Sequence, residues 1–218
     1  MTQNTPVIYH APEKKIKILS TGRITNNYLI KYVVERRIHI LVARQYCVEA
    51  NYCFEIEGQP DPSAKIYYAI GFRNNAGGYE LRSRFFKGSS APKTFTFLDN
   101  GSRVVVVVEG FFELLTFISF QGWPSKDLPN FLVLNSTSLF TAALEPLKRH
   151  DRVISLLNND AAGDFCTEMG LEEIPGYEDC RFFFKGYNDL NSWATEFGLA
   201  VFPSFEKGGS SRLSGGGS

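Results

Sequence analysis

Five consecutive valines, Val104 to Val108, form an apolar run without alternation, and no other stretch constrains the fold as much. β-branched side chains favour extended backbone. A strand that is apolar on both faces suits the middle of a parallel sheet with helices on each side. Glu109 and Gly110 follow at once, and then the apolar stretch Phe111–Phe120. A carboxylate at the C-terminal end of a buried strand sits where open α/β sheets place their ligands, and glycine permits the tight turn into a helix. An acid can also end an ordinary core strand, so the other stretches decide.

The second half repeats this rhythm. Strand 103–108 leads to helix 111–120 and a turn at Gly122-Trp123-Pro124. Strand Phe131–Leu134 leads to helix 138–148, which Pro146 should kink or shorten. Strand Val153–Leu157 leads to helix 162–170, and a short strand Arg181–Phe184 to a helix near 189–198. Four β–α pairs with short connections predict a mostly parallel, right-handed α/β sheet.

The first half reads differently. Residues 1–22 mix charge with polar residues and read as an N-terminal arm. Tyr28, Leu29, Tyr32 and Val33 recur at helical spacing and predict an amphipathic helix within Ile24–His39, with a second short helix over Ile40–Tyr46. Alternating segments Val48–Glu57 and Lys65–Phe72 are separated by the turn at 58–62. Asn74-Asn75-Ala76-Gly77-Gly78 predicts a hairpin turn into a strand over Tyr79–Arg84, and residues 94–98 form a further strand ended by Asp99-Asn100-Gly101. The expected organisation is therefore an arm at 1–22, a smaller basic α+β lobe at 23–101, an α/β domain at 102–205, and a flexible tail at 206–218. That Gly- and Ser-rich tail reads as an added linker without function.

Composition narrows the function classes. With 44% hydrophobic and 21% charged residues the chain is an ordinary globular protein, with no stretch apolar enough to span a membrane. Residues 1–6 lack a signal-peptide pattern, so a cytoplasmic location is expected. Cys47, Cys53, Cys166 and Cys180 form no Cys-x-x-Cys pair, and with three histidines no zinc spacing appears. Net charge is zero but unevenly divided: residues 1–100 hold 14 Lys/Arg against 8 Asp/Glu, and the remainder 9 against 15. A basic half beside an acidic half suits a protein that grips polyanions and holds cations elsewhere.

Three places after expected strands carry polar groups: Glu109-Gly110, then Asn158-Asn159-Asp160 with Gly163, then Lys185 with Asn188-Asp189. In a parallel sheet such tips share one edge and can converge. Carboxylates gathered there repel unless a cation joins them, and oxygen ligands in an open site suit Mg²⁺. Turn chemistry explains each stretch singly. Their joint appearance favours a site.

The Glu-Gly after a hydrophobic strand, Leu-Leu-Asn-Asn-Asp-Ala-Ala-Gly at 156–163 and Lys-Gly-Tyr-Asn-Asp at 185–189 resemble a Toprim domain, the catalytic module of bacterial-type DNA primases, of type IA and II topoisomerases and of some nucleases. Residues 68–74, 77–82, Phe86-Lys87 and Pro92-Lys93 resemble the basic N-terminal lobe of a primase catalytic core. Small primase-like proteins of mobile genetic elements in Bacteroides-type bacteria are especially similar. The resemblance covers roughly residues 25–198 and implies a Toprim-type sheet behind a primase-like lobe. It implies a nucleotidyltransferase that makes primers on single-stranded DNA from nucleoside triphosphates in DNA replication, using Mg²⁺ or Mn²⁺, with a possible helicase or other replication partner. By it, Glu109 and Asp160 are catalytic, and Glu109, Glu113, Asn158 and Asp160 hold metal. Arg73, Arg82, Arg84, Lys93, Lys185, Asn188 and Asp189 contact nucleic acid or nucleotide.

The chain departs from that pattern at three positions. Asn158 stands where the family has the first Asp of a pair, Gly186 where an Asp commonly follows the lysine, and Glu113 where Asp is usual. The alternative implied is a degenerate Toprim protein that binds nucleic acid, nucleotide or a replication partner without catalysis. A Toprim nuclease is less expected, and a topoisomerase least. Tyr79, Phe85 and Phe86, interleaved with Arg82, Arg84 and Lys87, form a pattern able to stack bases of a single strand. Alternation would turn half of those aromatics into a core.

Overall fold

The computed structural model describes residues 14–56, 59–60, 65–121 and 128–198. Strand β1 (Lys14–Gly22) is followed by helices α1 (Asn27–Glu35) and α2 (Ile40–Tyr46). Strands β2 (Val48–Ile56), β3 (Gln59–Pro60), β4 (Tyr67–Arg73), β5 (Tyr79–Ser83) and β6 (Phe86–Ser89) complete an antiparallel sheet of order β1-β2-β4-β5-β6, with β3 on β2. Asn26 starts α1 by accepting from the Tyr28 N–H, and His39 Nδ1 does the same for Leu41 at the start of α2. Leu29, Tyr32 and Val33 form the buried stripe of α1 that its spacing predicts.

Side chains of this sheet alternate between two surroundings. Ala50, Tyr52, Ala69 and Leu81 pack with Ile16, Ile18, Tyr79 and Phe86 on one face. The sheet coils enough that a side chain on Gly88 of β6 would meet Ile16 of β1 at 3.1 Å. Ile70 and Phe72 face the other way, into the main core. The turn at 74–78 is held by Asn74 Oδ1, which accepts from the Ala76 and Gly78 N–H groups.

The second sheet comprises β7 (Thr96–Leu98), β8 (Val104–Val108), β9 (Asn130–Val133), β10 (Arg152–Leu156) and β11 (Tyr177–Asp179) in the order β11-β10-β8-β9-β7. All neighbours are parallel except the edge pair β7–β9. Helices α3 (Phe111–Phe120), α4 (Phe140–Lys148), α5 (Ala161–Glu173) and α6 (Leu190–Phe197) cover it. The valine run serves two cores at once. Val106 and Val108 pack toward α1, α2, α3 and α6, while Val105 and Val107 pack toward α4 and α5. Helix α3 is buried along nearly its whole length because it lies between this sheet and the first lobe, where Phe111 stacks on Phe72 with ring centroids 5.3 Å apart.

Several expectations are corrected. Residues 14–22 form a strand rather than part of an arm, because Ile16 and Ile18 alternate with lysines and turn inward. Strand β6 was not expected. Residues 96–98 join the second sheet rather than the first lobe. Residues 181–184 form a 3₁₀ turn, and the strand lies at Tyr177–Asp179 instead. The Phe-rich run there does suit a strand, but the Asp179 carboxylate accepts from the Arg181 N–H and turns the chain. Helix α4 starts at Phe140, after a 3₁₀ turn at Thr137–Leu139, and ends at Lys148 as expected. The turn at 122–124 and the tail fall outside the described residues, as does part of the turn at 58–62. Among the described residues no helix is long and apolar enough to cross a membrane.

Candidate active site at the strand tips

Glu109 leaves the tip of β8, and Gly110 starts α3 with extended backbone and no capping side chain. The space is used by Glu113, whose Oε2 would lie 2.6 Å from a side chain at Gly110. Full burial pushes the Glu113 carboxyl up to about 7; Asp189 adds to the rise and Arg82 opposes it. At the tip of β9, Asn135 adopts left-handed backbone (φ 63) and its N–H donates to the Glu109 carbonyl at 2.8 Å.

At the tip of β10, Asp160 starts α5: its Oδ1 accepts from the N–H groups of Ala162 and Gly163 at 3.1 and 2.9 Å. Asn159 ties the following loop to this tip. Its Nδ2 donates to the Tyr187 carbonyl at 2.8 Å, and its N–H to the Asn188 carbonyl at 2.7 Å. That loop delivers Asp189, which caps α6 by accepting from the Ser192 N–H and hydroxyl. Asp160 and Asp189 thus have structural work as helix caps, which is compatible with facing a ligand at a helix N-terminus.

These tips form one wall of a cleft of about 260 Å³; Glu80, Arg82 and Lys87 of the first sheet line the other. Burial raises the Glu109 carboxyl, the charges of Asp160 and Asp189 raise it further, and Lys87 opposes them. Glu80 is pushed up to about 7, mainly by burial, against Lys93 and Lys87. Glu109 Oε2, Asn135 Oδ1 and Asn158 Oδ1 are buried without a hydrogen-bond donor.

Of the residues expected at a site, Glu109, Glu113, Asn158, Asn188, Asp189 and Arg82 line this cleft, and Asp160 lies close enough for its charge to act on Glu109. Arg84 pairs with Glu35 in a neighbouring groove of about 560 Å³ that shares Arg82 and Lys87 with the cleft. Arg73, Lys93 and Lys185 are exposed and outside the cleft lining. Lys185 follows a 3₁₀ turn, so it does not occupy a strand tip. Of the aromatic residues, Tyr79 and Phe86 pack inward, while Phe85 is 93% exposed. Glu80 and Asn135 were missed as site residues, and Lys87 was named only as part of the basic and aromatic pattern. For Asn135 a usable signal existed, a polar residue directly after an apolar strand, as at the other tips.

Among the described residues no three His, Cys, Asp or Glu gather as a ready metal site. The donors nevertheless fit an open Mg²⁺ or Mn²⁺ site. Such ions need one or two carboxylates plus waters and substrate phosphates, and buried oxygens without donors are the groups a cation would satisfy.

Two family models match the chain: one described as Toprim-like over residues 106–194, and a domain of unknown function (DUF8464) over residues 18–91. No curated protein matches the sequence. Among solved structures, the primase fragment of the bacteriophage T7 primase-helicase protein superposes with a TM-score of 0.52 at 17% identity, covering 84% of this chain and 77% of that one. A chain in a structure of the bacteriophage T7 lagging-strand DNA polymerase interacting with primase domains of two gp4 subunits bound to an RNA/DNA hybrid and dTTP gives a TM-score of 0.47 at 17% identity. That match covers 72% of this chain and 83% of the other. The second half is thus Toprim-like and the chain has a primase-like fold.

Proposed function

We propose that this Toprim-like, primase-folded chain is a nucleotidyltransferase that makes short primers on single-stranded DNA with Mg²⁺ or Mn²⁺. One observation carries the reading: a single cleft has acidic strand tips on one wall and Arg82 and Lys87 on the other. In the reaction a 3′-hydroxyl attacks the α-phosphorus of a nucleoside triphosphate, a new P–O bond forms, and pyrophosphate leaves with the electrons of the broken bond. Glu109, a carboxylate at the strand tip inside the cleft, accepts the hydroxyl proton directly or through water. Glu109, Asn158 and Asp160 would hold the divalent ion, which when bound supplies Lewis-acid stabilisation of the phosphoryl oxygens. Arg82 and Lys87 offset phosphate charge from the opposite wall, and Asn159 keeps the 184–188 loop against the site.

The test is incubation of the full chain with single-stranded template, Mg²⁺ or Mn²⁺ and labelled nucleoside triphosphates. Short template-dependent oligonucleotides are expected, and Glu109→Gln should abolish them. A second reading is favoured by Asn158 and Gly186, which lack the carboxylates expected there: a catalytically degenerate protein that binds nucleic acid, nucleotide or a replication partner. Template binding without product under either metal, with product appearing in Asn158→Asp, would select it.

A further inference from the structure

The three unsatisfied oxygens at the strand tips say more than that a site exists. Of the seven buried side-chain polar atoms without a partner among the described residues, three line this cleft, and all three are oxygens. They belong to Glu109, Asn135 and Asn158, which follow three adjacent parallel strands, β8, β9 and β10. Asn135 is the informative one. Its Nδ2 faces the Thr94 carbonyl at 2.8 Å and Thr96 Oγ1 at 3.1 Å. A carbonyl can only accept, and the Thr96 hydroxyl is committed as a donor to the Arg73 carbonyl at 3.5 Å. The amide is therefore fixed with its nitrogen toward Thr94 and Thr96, which leaves the oxygen as the free polar atom of a residue that lines the cleft.

Left-handed backbone at Asn135 serves the same end, since asparagine tolerates that region where most residues do not. Its own N–H is bonded to the Glu109 carbonyl, which ties the two donors together. Three acceptors without a donor require an occupant that supplies positive charge or hydrogen. Glu109 itself, with the charges of Asp160 and Asp189 acting on it, makes the spot electronegative, which favours a cation.

We propose that Asn135 is a protein ligand of the divalent-cation site, beside Glu109 and Asn158. This rests on the cation-dependent reading above and adds a donor that no acidic motif signals. It also explains why no cluster of three His, Cys, Asp or Glu is found: two of the donors are amides. With Glu109 and Asp160 the anionic donors beside the two amides, the site leaves coordination positions for waters and substrate phosphates.

Two measurements without nucleotide or template test this. In a Mg²⁺ titration of isotopically labelled full chain, the side-chain resonances of Asn135, Asn158 and Glu109 should move with one midpoint. A shift at Glu109 with Asn135 unmoved, or no binding at all, overturns the proposal. Mn²⁺ affinity by electron paramagnetic resonance should fall about tenfold or more in Asn135→Gly, given that losing even an outer-sphere partner costs 10–100-fold. Glycine keeps the backbone conformation and removes the oxygen. Unchanged Mn²⁺ affinity in a folded Asn135→Gly chain also overturns it. Primer synthesis by a chain whose Asn135 stays silent leaves the function standing and removes this inference; ion binding through Asn135 without primer does the reverse.

Discussion

Gly163 offers the sharpest perturbation of the site. It is the third residue of α5, and a side chain there would lie 2.0 Å from the Asn158 carbonyl oxygen and 3.0 Å from its carbon. Ordinary contact begins near 3.4 Å, so Gly163→Ala requires a displacement of about 1.4 Å (3.4 less 2.0) between backbone and backbone. No rotamer relieves it. Either the start of α5 moves with Asp160, or the tip of β10 moves with Asn158, and the Asp160 cap bond to the Gly163 N–H is at the same spot. Overpacking of this kind costs about 1–3 kcal/mol, which for a chain of this size lowers Tm by roughly 3–10 °C. The functional loss should be larger, because a misplacement of about 1 Å can cost on the order of 10² in rate. Gly110→Ala is the control. Its new side chain meets only Glu113 Oε2, at 2.6 Å, and the far end of a side chain can swing away. Thermal unfolding, Mn²⁺ affinity and primer synthesis should be measured for both variants. A Gly163→Ala chain with unchanged Tm and unchanged Mn²⁺ affinity would refute the claim that close packing of this glycine positions Asn158 and Asp160.

Asn158→Asp adds a further negative charge to a cleft in which Asp160 and Asp189 already act on Glu109, and like charges there repel. Without metal the variant should melt below the native chain, and saturating Mg²⁺ should reverse the order; equal Mg²⁺ responses would count against ion binding here. The Glu113 and Glu80 carboxyls are both raised to about 7 in the folded chain, so the native state holds protons that the unfolded chain has lost. Stability is therefore fully present below about pH 4.5 and lost as pH rises to about 7. Melting between pH 5 and 8 should show that fall, and Glu113→Gln should remove on the order of 3 kcal/mol of it; an unchanged slope in that variant would disprove the burial argument. For Lys87→Ala, the salt dependence of single-stranded DNA affinity should drop by about 0.7 in the log–log slope. An unaltered slope would take Lys87 off the phosphate path.

Much of the second half was legible because its signals are local. Val104–Val108 has to be covered on both faces, and the helix after Gly110 follows from the residues themselves. Glu109, Asn158 and Asp160 could be assigned to one edge because parallel strands place their tips together, whereas Asp189 reaches it on a loop after a 3₁₀ turn. What stayed hidden depended on pairing. Asn135 carried the signal of a polar residue after an apolar strand, but the orientation of its amide appears only with Thr94 behind it. Lys87 belonged to a basic and aromatic pattern, but the four-residue strand that carries it was too short to read. Lys14–Gly22 carried the period-two signal in Ile16 and Ile18, but its lysines masked it.

The basic wall of the cleft is itself a consequence of parity. Glu80 and Arg82 on β5 and Lys87 on β6 share a face because Tyr79, Leu81 and Phe86 occupy the opposite one, and a slip of one residue would exchange the sets. Register also places Arg82 directly across from Lys87. Like charges opposite each other on neighbouring antiparallel strands destabilise a sheet. Arg82 offsets part of this by packing 5.6 Å from the Phe112 ring centroid and facing the Tyr32 hydroxyl, yet neither cation has an ion-pair partner among the described residues. The arrangement is poor for folding and good for gripping a polyanion, whose phosphate between the two cations turns their repulsion into attraction. With acidic tips facing them across the same cleft, these two cations argue for phosphate chemistry more strongly than either wall does alone.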